Sequence, residues 1–233
     1  MLSKQIRETH KLTPLSPDQM ISLATALVPL ALYFFVLAAL HSGRRPRLLT
    51  GQEDLTALAL GLIGFVMAGP MLYFLPIDAL AFWGFSTWFF LAVLYALVAW
   101  FLGALSRFRI VIYNIDVNEL RDILEKTGRE LDAEARWAGN SLSLPTLGVQ
   151  LYIEPMSLLR NVTLKACGAS QDFKGWLGFE KSLRKALLRH RAEKKNRVAM
   201  LMAMTGFLMM VATVAILVTH RTEAIQSLWF LLQ

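Results

Sequence analysis

The sequence predicts a membrane protein of four transmembrane α-helices with a small α+β domain, in the order β-α-β-β-β-α, inserted between the third and fourth. Three observations carry that expectation. The 233 residues are 55% hydrophobic and only 18% charged, with a mean hydropathy of +0.47, whereas a soluble domain is usually about 25% charged. Four stretches, 21–40, 55–75, 79–106 and 198–219, contain no Asp, Glu, Lys, Arg or His. Each is long enough to cross roughly 30 Å of hydrocarbon at about 1.5 Å per residue. Finally, the Lys and Arg residues fall unevenly along the chain, and that asymmetry sets an orientation.

The first span carries Pro29, which can kink a helix without breaking it. No A-x-A site follows it in Leu37-Ala38-Ala39-Leu40-His41, so it reads as an uncleaved span rather than a signal peptide. The second, with Pro70, and the third are separated only by Pro76, Ile77 and Asp78, a tight helical hairpin. Tyr73, Phe74, Phe82, Trp83 and Trp88 around that turn suit an interfacial aromatic belt. The third span exceeds the bilayer requirement and is expected to tilt or project.

Four spans place residues 1–20, the 76–78 turn and the 220–233 tail on one side, where Trp229 and Phe230 suit the membrane surface. The loop 41–54 and the segment 107–197 lie on the other. Only four of the 24 Lys and Arg residues fall on the first side. On the second, Arg44, Arg45, Arg47, Arg107, Arg109, Lys194, Lys195 and Arg197 closely flank spans. The positive-inside rule therefore puts segment 107–197 in the cytoplasm and both termini outside, as in a bacterial inner-membrane protein.

Within 107–197, Arg-Ile-Val-Ile-Tyr-Asn over 109–114 reads as a strand, rich in β-branched and aromatic residues. Asp116 with Glu119 three residues on begins a helix, and Val117, Leu120, Ile123, Leu124 and Leu131 follow at helical spacing. That helix should end near Gly128 or Leu131. Strands are predicted over 135–144 and 147–154, and a partly buried edge strand over 158–167. From 173 to 197 the spacing of Trp176, Leu177, Phe179, Leu183, Leu187 and Leu188 is helical. No Pro or Gly lies between Gly178 and Gly206, so one helix is expected to continue from the domain into the fourth span.

The cytoplasmic half of that helix holds Lys181, Arg184, Lys185, Arg189, Arg191, Lys194, Lys195 and Arg197 against Glu180 and Glu193. Such a cluster is either plain stop-transfer charge or a surface for anionic lipid head groups or an acidic partner, at about 1 kcal/mol per residue near the bilayer. No aromatic-interleaved basic motif suggests nucleic acid, despite a net charge of +7.

Catalytic and metal signatures are missing from the sequence. There is no G-x-S-x-G, P-loop or H-E-x-x-H. His10, His41, His190 and His220 are scattered, and the single Cys167 cannot form an intrachain disulfide or a Cys-based metal site. No cofactor or metal is expected. The carboxylates at Glu53-Asp54 and over 116–134 read as solvated polar faces. An enzyme would need Asp116, Glu154 and His190 to converge at the membrane junction, which their spacing does not predict. The spans carry no ionisable residue, which argues against a proton or ion machine built from this chain alone.

The spans do carry packing chemistry. Ala57, Gly61, Gly64 and Ala68 line span two at three- and four-residue spacing, and Ala99 and Gly103 do the same in span three. These faces serve either internal packing or a homo-oligomeric or heteromeric interface. Met200, Met202, Met204, Met209 and Met210 read as adaptable filler in the fourth span.

Arg44-Arg45-Pro46-Arg47, the Gly69-Pro70 break before Tyr73-Phe74-Leu75-Pro76, and Leu158-Leu159-Arg160-Asn161-Val162-Thr163-Leu164 together resemble uncharacterised multi-span proteins of planctomycete-type bacteria. The resemblance spans most of the chain and implies no activity. The residues themselves suggest a non-catalytic scaffold, assembly or regulatory subunit that works through its cytoplasmic domain. The alternative is a transport or lipid-handling protein with a hydrophobic path between spans two and three.

Overall fold

The structure, a computed structural model, describes residues 17–68, 82–84, 86–106, 108–156, 159–168, 171–191 and 197–221. Three of its helices are long and apolar enough to cross a membrane: α1 (Pro17–Ser42), whose spanning part is Met20–Ser42, α3 (Ser86–Leu105) and α6 (Arg197–Thr219). The second predicted span begins as α2 (Gly51–Ala68). Its remainder, with Pro70, the 76–78 hairpin and the aromatic residues Tyr73 and Phe74, lies outside the described residues.

α1 packs against both α6 and α2, and α2 packs against α3. The helices approach closely where side chains are small. A Cβ on Gly64 would stand 2.7 Å from the Ala26 Cα, and one on Gly61 would stand 2.7 Å from the Tyr33 Cβ. α3 turns Phe89, Leu94, Leu97, Trp100, Phe101 and Leu105 outward. In water such a continuous apolar surface would drive aggregation; in hydrocarbon it is the solvent-matched one.

The domain is built on one antiparallel sheet of six strands, in the order β1-β2-β6-β5-β4-β3. Its strands are β1 (Arg47–Thr50), β2 (Arg109–Tyr113), β3 (Arg136–Ala138), β4 (Ser141–Leu144), β5 (Val149–Met156) and β6 (Asn161–Ala166). Two helices, α4 (Val117–Leu131) and α5 (Phe173–Arg189), cover one face. Because successive strand side chains point to opposite faces, Ile110 and Ile112 enter the core beneath α4 and α5, with Leu120, Leu124, Trp176, Phe179, Leu183 and Leu187. Val111 and Tyr113 point the other way and pack on Leu37 and Leu40 of α1, with Leu49 of β1. The sheet thus has two cores, one inside the domain and one shared with the bundle.

Several expectations need correction. The 41–54 segment is not a plain loop: it supplies β1, paired with β2 in the register Leu48↔Ile112, and Leu48 is buried in the domain core. The single strand expected over 135–144 is a hairpin, β3 and β4, turning at Gly139-Asn140 with Gly139 at φ +61, a conformation open to glycine at no steric cost. The domain order is therefore β-α-β-β-β-β-α, with β1 added from outside. β6 is central between β2 and β5 rather than an edge. The continuous helix into the fourth span is also overturned. α5 stops at Arg189, His190 caps it in extended conformation (φ −83, ψ 138), and α6 begins anew at Arg197.

Local signals explain the helix starts. Asp116 accepts the Asn118 N–H at the head of α4, and Asp172 accepts the Gly175 N–H at the head of α5. α2 opens with a capping box: Thr50 N–H donates to Glu53 Oε2 at 2.8 Å, and Glu53 N–H to Thr50 Oγ1 at 3.2 Å.

Candidate functional site

Polar groups gather where the domain meets the bundle. His41, buried in the last turn of α1, donates from Nδ1 to the Leu37 carbonyl at 2.8 Å. With the Asn161 amide nitrogen turned toward the ring, it donates to His41 Nε2 at 2.9 Å and to the Leu159 carbonyl at 3.0 Å. This joins the end of α1 to the start of β6, 120 residues away in sequence. The imidazole also meets Tyr113 edge-on, with ring centroids 5.4 Å apart.

One strand over, the Tyr113 hydroxyl donates to Asp54 of α2, and Arg109 Nη2 reaches the same carboxylate at 3.4 Å. Burial, reinforced by the Asp54 carboxylate, pushes Tyr113 far above the usual phenol range, so it stays a neutral donor. Asn114, in the left-handed region at φ +61, donates to the Gly43 carbonyl at 2.7 Å. Together these contacts clamp the domain to the ends of α1 and α2.

A triad of Asp116, Glu154 and His190 does not form. Asp116 caps α4. Glu154 pairs with Lys165 at 2.5 Å across β5 and β6. His190 instead approaches Glu119 at 3.4 Å, whose other carboxylate oxygen faces Arg160 at 3.9 Å. The carboxylates expected to be merely solvated divide: Asp54 belongs to the clamp, and Asp132 is buried. Burial alone would raise the Asp132 carboxyl. Hydrogen bonds from Glu134 N–H at 2.9 Å, Thr146 Oγ1 at 2.9 Å and Thr146 N–H at 2.8 Å outweigh it and hold the group below the ordinary carboxylate range. Among the described residues no group of three His, Cys, Asp or Glu side chains is arranged to hold a metal.

The predicted basic cluster is split by the end of α5. Lys181, Arg184, Lys185 and Arg189 lie exposed along α5, Arg191 follows it and Arg197 opens α6. Lys194 and Lys195 lie outside the described residues. Arg184 is paired with Glu180 at 2.9 Å. Lys185 and Arg189 line a groove of about 390 Å³ between α5 and α4, where Lys126 of α4 joins them. Sequence reading missed Lys126 because it belongs to a different helix, and only packing brings it to the cluster. The clamp was missed for the same reason: His41 and Asn161 carry no local signal of each other.

Of the predicted packing residues, Gly61 and Gly64 face α1. Ala57 and Gly61 also line an apolar cleft of about 250 Å³ between α1 and α2, with Pro29, Leu32, Tyr33 and Val36. Ala68 closes α2, and its side chain lies outside the described residues. No protein-family model, curated protein or solved structure matches the chain.

Proposed function

We propose that this chain is a non-catalytic scaffold, assembly or regulatory subunit of a bacterial cytoplasmic membrane complex, working through a cytoplasmic α+β domain. The observation that carries this reading is the exposed basic face of α5 on a domain clamped to its bundle through His41, Asn161, Asp54 and Tyr113. A face held at fixed height above the bilayer can meet anionic head groups and an acidic partner surface together, and clustered cations near a membrane favour both. The charge distribution along the chain supports the cytoplasmic placement, with both termini outside.

Purification in mild detergent tests the reading: a defined partner or a homo-oligomer is expected, and repeated recovery of a bare monomer would sink it. Reporter fusions at 115 and at the C-terminus check the orientation, with cytoplasmic signal expected only from the first.

The apolar cleft between α1 and α2 favours a second reading, lipid handling. Its place differs from the expected path between spans two and three. Photo-crosslinking lipid probes should label Leu32 and Val36 above the outward residues of α3 if this reading holds; uniform labelling would remove it.

A further inference from the structure

We infer that the groove between α4 and α5 is a binding site for a phosphate-bearing anion. The inference deepens the proposed function and rests on it, because it assigns a ligand class to one part of the basic face.

The groove is built from two helices that share one core, so its walls are set by the packing of Leu120 and Leu124 against Phe179 and Leu183 rather than by a mobile loop. Lys126 contributes a cation from one wall, and Lys185 and Arg189 contribute two from the other. Among the described residues none of the three forms an ion pair or hydrogen bond within the protein. Arg184, on the same helix but outside the groove, is neutralised by Glu180. Thr127 and Ser182 add hydroxyls to the lining. Three unpaired cations with hydroxyls beside them match an oxyanion with several acceptor oxygens, and charge-assisted bonds to such a group are the strong ones.

The volume, about 390 Å³, lies in the range of small-ligand sites, roughly 300–1,000 Å³. Among the described residues Glu130 is the one carboxylate in the lining, and it opposes any anion placed there. The same phosphate chemistry is offered by a phospholipid head group and by a soluble phosphate ester.

The test uses the full chain in phosphatidylcholine nanodiscs. Inorganic phosphate and glycerol 3-phosphate are titrated as soluble probes, and phosphatidic acid is incorporated as the lipid probe, with tryptophan fluorescence as the readout. Saturable binding to a soluble probe identifies a free ester, and binding to phosphatidic acid alone identifies a head group; either supports the site. Lys185→Ala with Arg189→Ala should weaken binding at least about tenfold. Arg136→Ala with Lys174→Ala removes equal charge from exposed positions outside the groove and should change it little. Glu130→Gln should tighten binding severalfold, a gain that lost structure cannot mimic.

If Lys181→Ala with Arg184→Ala weakens binding as much as the groove pair, the anion reads the whole face: the groove inference fails while the proposed function stands. Absence of saturable binding to either probe also overturns the groove, and leaves partner recovery as the separate test of the proposed function.

Discussion

Asp132 is a buried carboxylate whose three hydrogen bonds tie the end of α4 to the β4–β5 turn. Its folded pKa is depressed, so its contribution is fully present above the unfolded carboxylate value of about 3.9 and is lost as pH falls through the lower folded value. Asp132→Asn should therefore lower the Tm at pH 7, and the gap from the parent should close as pH drops below about 4. Thermal scans of both proteins across pH 3 to 7 (roughly the carboxylate range) check this, and a constant gap would contradict it. His41 acts through the hydrogen bonds it satisfies. His41→Ala would leave one of the two Asn161 amide N–H groups without its acceptor, the other staying on the Leu159 carbonyl, and an unpaired buried polar group costs about 1–3 kcal/mol. Denaturation in detergent should report that loss, and Asn161→Ala should add little once His41 is gone, as partners in one contact are non-additive.

At the scale of elements, three glycines separate packing from propensity. Gly64 lies so near the Ala26 backbone that any side chain must force α1 and α2 apart, and overpacking typically costs about 1–3 kcal/mol. Among the described residues nothing stands within 4 Å of where a Cβ on Gly178, inside α5, would lie. Gly178→Ala should stabilise by about 0.5–1 kcal/mol, because glycine in a helix interior carries only its entropic penalty. Gly175, three residues earlier, abuts the Leu147 carbonyl and should tolerate no substitution. Paired melting curves for Gly64→Val and Gly178→Ala should move in opposite directions. The same elements show what a sequence can reveal. α4 was legible because its cap, Asp116, and its apolar period are both local. β1 was not, since four residues, Arg47–Thr50, gain strand geometry only by pairing with β2. The β3–β4 hairpin was missed because Gly139-Asn140 sits inside a run read as one strand, although that glycine was the available signal. The end of α5 at Arg189 carries no Gly or Pro to mark it.

For the whole molecule, the bundle and the domain are one construction, because β2 is shared between two cores. Ile110 and Ile112 look into the domain while Val111 and Tyr113 look onto α1. Half of that arrangement was visible as an apolar strand at 109–114; its second partner was not, since contacts between distant segments leave no periodicity. The basic groove was half visible in the same way, from α5 but not from Lys126. The shared strand has a consequence for dissection. A fragment limited to 108–191 would lose β1, leaving β2 as an unpaired edge, removing Leu48 from the core and exposing Val111 and Tyr113. An exposed apolar edge is a template for association, so the fragment should aggregate or give a poorly dispersed NMR spectrum. Linking 43–50 ahead of residue 108 restores the strand and Leu48, but not the α1 surface. It should recover dispersion while retaining a tendency to self-associate, which Val111→Thr should reduce. A monomeric, well-dispersed 108–191 fragment would show instead that the domain folds without the bundle.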